Sequence, residues 1–198
     1  MQDMDQDRRA IVDLVNDWVM WRDMGDFERM RTVWHDDGRI QTTWRQGTAD
    51  EFVRATRETF EKGITILHTL GGITVDVVGD RAISISKATV SQRAIVEGVP
   101  CDVTCMARHY DFWEKRAGRW GLVMREGIYD KDWLTPVEPG REVVLDPDLL
   151  ARFPENYRHL AYLQTRIGFE VKRDMPCLRG PEVQALYARG AAWLRGES

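Results

Sequence analysis

Two histidines and an aspartate carry most of the chemistry this sequence offers. His68 lies in Ile66-Leu67-His68-Thr69-Leu70, a stretch that alternates like a strand. On such a strand His68 shares a face with Ile66 and Leu70. A histidine among apolar residues is held neutral or finds an acid partner. Asp23, at the end of a helical stretch, is that partner if the helix ends above the strand. An Asp–His pair fixes the ring tautomer and raises the basicity of the other nitrogen, as a general base near neutral pH requires. The alternative is a structural histidine bonded to a helix end. His109 alternates with Ala107, Cys105 and Asp111, so it faces a pocket if Ala107 does. There it would act as an acid opposite the base, or hold a substrate hydroxyl. Otherwise it lies on the outer face.

The remaining candidates are weaker. Arg22 either meets a substrate oxygen or points to water. Ser86 shares a face with Ser84 and Ala88, where small side chains would leave volume for a ligand. Trp18, Trp21 and Trp44 suit either a pocket wall or an ordinary core. Arg108, Tyr110 and Phe112 lie on the face opposite His109 and belong to assembly if that face meets another subunit. His35, beside Asp36-Asp37, and His159 in the C-terminal part are read as solvated or structural. Cys101, Cys105 and Cys177 lack C-x-x-C spacing and are read as small buried thiols. There is no G-x-S-x-G, phosphate-cradling glycine loop, dinucleotide fingerprint or histidine pair at metal-ligand spacing. Neither a cofactor nor a metal is expected.

These side chains depend on a scaffold that periodicity outlines. Ile11, Leu14, Val15 and Trp18 follow helical spacing, which predicts an amphipathic helix over about 6–22. Gly25 supplies its stop, and Asp26 caps a short helix holding Phe27, Met30 and Trp34. Asp36-Asp37-Gly38 reads as a turn and 39–44 as β-like. Thr48 or Asp50 caps a third helix bearing Phe52, Val53, Thr56 and Phe60. The period then becomes two. Strands are expected over 64–78, with a bulge at Gly71-Gly72, and over 82–96, 99–114 and 120–129. Tight turns at Gly79-Asp80, Glu97-Gly98 and Ala117-Gly118 make them an antiparallel meander. Helices followed by a curved meander give an α+β cone over 1–135. Residues 136–147 read as a strap rich in proline and charge. Beyond it, 148–166 is partly helical and 181–194 a second helix opening on proline. This extension, 136–198, carries Leu149, Leu150, Phe153, Tyr157, Leu160 and Leu163. It is too apolar for a solvated tail and should pack on the cone, over the pocket mouth or on a partner subunit.

Among 198 residues there are 28 Lys and Arg against 32 Asp and Glu, a net charge of −4. That balance argues against a nucleic-acid partner. No apolar run approaches the roughly 20 residues of a membrane span. The polar string from Met1 to Arg9 lacks the order of a signal peptide, so a cytoplasmic location is expected. Oligomerisation, as a dimer or trimer, is expected because a sheet face and the apolar extension need cover.

Four strings together resemble SnoaL-like proteins of the nuclear transport factor 2-like superfamily: Trp21–Met30, Ile66–Gly72, Arg108–Trp120, and Arg125 with Tyr129-Asp130. The resemblance covers about residues 8–133. Within the superfamily the pattern is most similar to scytalone dehydratase. That enzyme uses an aspartate at the end of its first helix and a histidine on its first long strand, positions matched by Asp23 and His68. Its second histidine falls at Ser86, its asparagine at His109, and its two water-holding tyrosines near Arg22 and Thr42. The resemblance implies a cofactor-independent lyase or dehydratase acting on a hydrophobic hydroxylated aromatic molecule. The narrowest form is an aromatic dimer of lignin type that loses formaldehyde. The superfamily also holds ketosteroid isomerase-like enzymes and polyketide cyclases, and fold alone does not choose among them. A non-catalytic ligand-binding protein is the alternative from another class.

Overall fold

A computed structural model describes residues 2–197, with side chains from Met4 onward; Met1, where the polar N-terminal string begins, and Ser198 lie outside the described residues. Helix α1 (Gln2–Met24) buries Ile11, Val15, Trp18, Val19 and Arg22, one stripe at steps of four and three. Gly25, at φ +78°, ends it. Its N–H reaches the Arg22 carbonyl and the Asp26 N–H that of Trp21, a Schellman closure. Asp26 then caps α2 (Phe27–Thr32) by accepting from the Arg29 N–H. Helix α3 (Ala49–Glu61) opens on a full capping box between Thr48 and Glu51.

Six strands form one sheet in the order β2-β1-β6-β5-β4-β3. They are β1 (Trp34–Gln41), β2 (Gln46–Thr48), β3 (Ile66–Val78), β4 (Arg81–Val96), β5 (Val99–Arg116) and β6 (Arg119–Pro136). The last four are the expected meander. The β3/β4 register shifts between Leu70 and Ile73, at the glycine pair. Three sequence readings need correction. Trp34 begins β1 instead of ending α2. Asp36-Asp37-Gly38 lies inside that strand, where the parallel pairing with β6 slips between Trp34 and Arg39. The turn signal marks a bulge, and the real turn is Thr42–Arg45, closed by the Thr42 N–H on the Arg45 carbonyl. Strand β6 runs on to Pro136, because one extra residue near Asp130 restores its pairing with β5 after the charged run breaks the alternation.

The sheet's concave face is covered by two separate groups. Helices α1 to α3 close one half around Trp18, Trp34, Phe52, Trp113 and Leu122. The other half, with Cys101, Val103, Cys105 and Tyr129, is closed by α4 (Pro147–Leu150), α5 (Arg158–Arg166) and the segments around them through Leu149, Phe153, Tyr157 and Leu160. The convex face at Tyr110 and Phe112 was expected at a subunit interface if it met another chain. Instead α6 (Pro181–Leu194) covers it, seating Val183 and Leu186 against Ile83, Tyr110, Phe112 and Ile128. Arg108 joins this cover by pairing with Asp130 and donating to the Tyr187 hydroxyl.

Helix α6 approaches closely because residue 190 is glycine. A Cβ there would overlap the Tyr110 hydroxyl and ring, and that ring is held by Phe112 and Tyr187, each 5.5 Å away between centroids. Gly190→Ala should therefore lose about 1–3 kcal/mol by overpacking, read as a lower urea midpoint. An unchanged midpoint would mean that the helix does not rest on Tyr110.

Candidate functional site

The site begins where α1 meets β3. Strand β3 is an edge of the sheet, so its outward N–H and C=O groups need partners from elsewhere. The last turn of α1 supplies them. Arg22 donates from Nη1 to the Ile66 carbonyl at 3.3 Å, and the His68 N–H donates to Asp23 Oδ2 at 2.6 Å. The other carboxylate oxygen, Oδ1, accepts from His68 Nδ1 at 2.8 Å and from Arg22 Nη1 at 3.2 Å. An aspartate in a helix's last turn opposes the helix dipole. Here it answers three donors, and these, against the cost of its own burial, hold its carboxyl below the ordinary 3.8.

The carboxylate sets the tautomer of His68: Nδ1 carries the proton and Nε2 keeps its lone pair. The His68 side chain is 7% exposed. Burial, then the Arg22 charge, outweigh the pull of Asp23 and push the ring's pKa down to about 4. At neutral pH His68 is an uncharged imidazole whose Nε2 has no protein partner. Trp18 sets its edge-on position, with ring centroids 5.9 Å apart, and meets His109 in the same way at 5.4 Å. His109 is buried, and its Nδ1 has no hydrogen-bond partner. Burial, followed by the charges of Arg125, His68 and Arg22, pushes its pKa well below 6.5. It too is neutral.

A third element was not singled out from sequence. Arg125 on β6 pairs with Asp111 on β5 through two 2.7 Å hydrogen bonds, with 1% and 0% of their side chains exposed. Its guanidinium stacks 4.1 Å from the Trp18 ring centroid, and its Nη1 has no partner. Ser84 donates to Asp111 and accepts from Trp113 Nε1 at 2.8 Å, which anchors the pair in the core. The available signal was Asp111 itself, a carboxylate sharing the inward parity of His109 between Tyr110 and Phe112.

These groups line a cavity at the seam between the two concave-face cores. It is narrow, about 60 Å³ for the centres of water-sized molecules. Trp18, Arg22, Thr42, Trp44, His68 and His109 all border it; Asp23 stands behind His68 and reaches it only through that ring. Two expected wall residues do not border it. Trp21 packs partly buried against the first core, and Ser86 is fully buried opposite His109 on the neighbouring strand. Residues not named as pocket-wall candidates from the sequence complete the wall. Tyr129 accepts from the Thr43 N–H at 3.0 Å, and burial lifts its own pKa to about 12, so it keeps its hydroxyl proton. Gln92 and the extension's Leu160 and Gln164 close the far end.

The other two histidines have structural partners. His35 holds the Glu114 carbonyl and Arg119, and His159 holds Asp132, which also caps the Leu160 N–H of α5. Among the described residues no group of His, Cys, Asp or Glu is arranged to hold a metal, and no helix is long and apolar enough to cross a membrane.

The depressed histidines tie stability to pH. His68 accepts a proton near 6.5 when unfolded and near 4 when folded. Acid therefore favours the unfolded chain across that window, and the contribution of the neutral ring is fully present only above 6.5. The loss is at most about 1.4 kcal/mol per pH unit, or about 3 kcal/mol across the window. His109 adds in the same direction, and Asp23 extends the loss below 3.8. Urea midpoints should fall steadily from pH 7 to 4.5, and less so in His68→Phe; equal midpoints at the two pH values would contradict this account.

Comparison with known proteins agrees with the fold. A family model described as a SnoaL-like domain matches residues 5–126. Pea pathogenicity protein 2 of Fusarium vanettenii is 33% identical over 202 residues, covering 96% of this chain and 87% of that protein. An uncharacterized protein of Emericella nidulans is 33% identical over 208 residues, with the same shares covered. Among solved structures, a putative scytalone dehydratase from Novosphingobium aromaticivorans superposes with TM-score 0.56 at 20% identity, over 72% of this chain and all of that one. A hexachlorocyclohexane dehydrochlorinase (type 2) gives TM-score 0.58 at 19% identity, over 72% and 97%. The chain belongs to the SnoaL-like family.

Proposed function

We propose that this protein is a cofactor-independent lyase that eliminates water from a hydroxylated, apolar, flat small molecule. One observation carries the reading: a buried, neutral His68 whose Nδ1 is committed to Asp23 and whose Nε2 is uncommitted beside a cavity. That is the state a general base needs before it meets substrate.

In this mechanism His68 Nε2 takes a proton from the carbon next to the one bearing the hydroxyl. The C–H electrons form the new double bond and the C–O bond breaks. Asp23 stabilises the imidazolium that forms. Negative charge gathers on the departing oxygen, where an N–H of His109 and the guanidinium of Arg125 can meet it. The imidazolium then gives its proton to that oxygen, and water leaves. His109 serves as a hydrogen-bond donor, because a ring held neutral at working pH has no extra proton to give. The apolar wall excludes bulk water and strengthens each of these interactions. The narrow cavity favours one flat ring over a two-ring dimer. Two fold neighbours named for eliminations, a dehydratase and a dehydrochlorinase, are consistent with this class of reaction on this scaffold.

The test is turnover of hydroxylated aromatic and alicyclic compounds, followed as the absorbance of the new conjugated double bond. For a compound that wild type converts, His68→Ala should lose on the order of 10²–10⁴-fold in kcat while keeping its circular dichroism. Asp23→Asn should also slow the reaction, since an amide cannot hold both oxygens as acceptors. Near-wild-type turnover by His68→Ala would end the proposal.

A further inference from the structure

The far end of the cavity holds polar atoms that the proposed reaction does not use. Gln92 on β4 is 1% exposed and Gln164 on α5 is 5% exposed. Both line the cavity. Nε2 of Gln92 and Oε1 of Gln164 are buried with no hydrogen-bond partner. Gln92 stands opposite Ile66, one inward-facing step along the sheet from the His68–Val90 pair. Gln164 lies one helical turn after Leu160, so the two form the cavity face of α5. Burying an amide group without a partner is costly, and an apolar side chain of similar size would avoid that cost. Two such groups on separate elements, facing one cavity, suit a ligand that completes them.

We infer that Gln92 and Gln164 form a specificity subsite that reads a hydroxyl group on the ligand, at the cavity end away from Arg125. This rests on the reading that the cavity takes a small-molecule ligand, but not on the reaction proposed for it. One amide offers a donor and the other an acceptor. A hydroxyl answers both, because its oxygen accepts from Gln92 and its hydrogen goes to Gln164. An ether oxygen answers only the donor. A carboxylate would meet the Gln164 carbonyl with repulsion and bring a charge to neutral amides. Half of the subsite comes from α5, outside the stretch that matches the SnoaL-like family model. The discrimination of hydroxyl from ether therefore rests on Gln164 in the C-terminal extension, whereas Gln92 belongs to the part that carries His68 and Asp23.

The probes are 4-ethylphenol and its methyl ether, 4-ethylanisole, each with a single flat ring. Binding to the full chain is measured by calorimetry, and melting temperature is recorded alongside. Wild type should prefer the phenol on the order of tenfold. Gln164→Leu should cut that preference to about threefold or less and keep ether binding. Gln92→Leu removes the donor that both probes use, so it should weaken both about alike. The melting temperature should be unchanged or raised in each. The two substitutions lie on different elements, so a folding failure in one leaves the other to decide. Equal affinity of wild type for both probes overturns the subsite. So does loss of ether binding in Gln164→Leu, unchanged binding of both probes in Gln92→Leu, or no phenol binding at millimolar concentration. Because the readout is binding, an active His68→Ala enzyme would end the proposed reaction and leave this result standing.

Discussion

The carboxylate of Asp23 is the interaction on which the rest of the site depends. It bonds the backbone N–H and the ring of His68 at once, and both bonds lie on the free edge of the sheet. Because β3 is an edge strand, the N–H of His68 has no strand to pair with. A helix that ends in an acidic residue can supply that partner, at the expense of an unfavourable charge near its own C-terminus. The same bonds that dock α1 on the sheet therefore set the tautomer of His68. Arg22 completes the joint by donating to the Ile66 carbonyl. Helix docking and orientation of the His68 ring are one set of contacts, so the ring cannot be misoriented without loosening the helix end.

The Arg125–Asp111 pair makes the complementary case. A fully buried ion pair is poor evidence for stability, because desolvation offsets much of the attraction. This one also leaves a guanidinium nitrogen unpartnered, which adds to its cost. The arrangement makes sense as positioning. Asp111, held by Ser84, fixes two of the nitrogens, Trp18 stacks on the plane, and the third nitrogen stays unbonded beside the cavity. The positive charge helps keep His68 and His109 neutral and is in place before any negative charge develops.

How much of this was legible in the sequence follows from the range of each interaction. Period-two alternation and glycine-bearing turns are local, so the four long strands and their order could be read directly. Period placed Asp23 at a helix end and His68 on a strand, but their choice as a pair rested on the resemblance to scytalone dehydratase. The bulge at Asp36–Gly38 was read as a turn because its charges and glycine are turn-like, and only pairing with β6 keeps the chain extended. Strand β6 was read too short because one extra residue near Asp130 reverses the alternation. Arg125, Gln92 and Gln164 were missed for a different reason. A polar residue inside an apolar pattern shows its role only when a distant element faces it, and those pairings lie in no window of sequence. Ser86 illustrates the converse: it shares the inward parity of Ser84 and Ala88, yet it is fully buried beside His109 and does not border the cavity.

The placement of the cavity follows from the way the concave face is covered. Helices α1 to α3 carry enough apolar surface for one half of the sheet, and the extension carries enough for the other. Two cores that meet without merging leave a seam, and side chains at a seam face both bodies. Tryptophan and histidine enter it from the first core, tyrosine and leucine from the second. The cavity wall thus draws on the extension, although the Asp23–His68 pair belongs wholly to the first body. His68 and Asp23 are tied to the fold by the edge-strand joint, whereas Gln164 sits on a helix that takes no part in that joint.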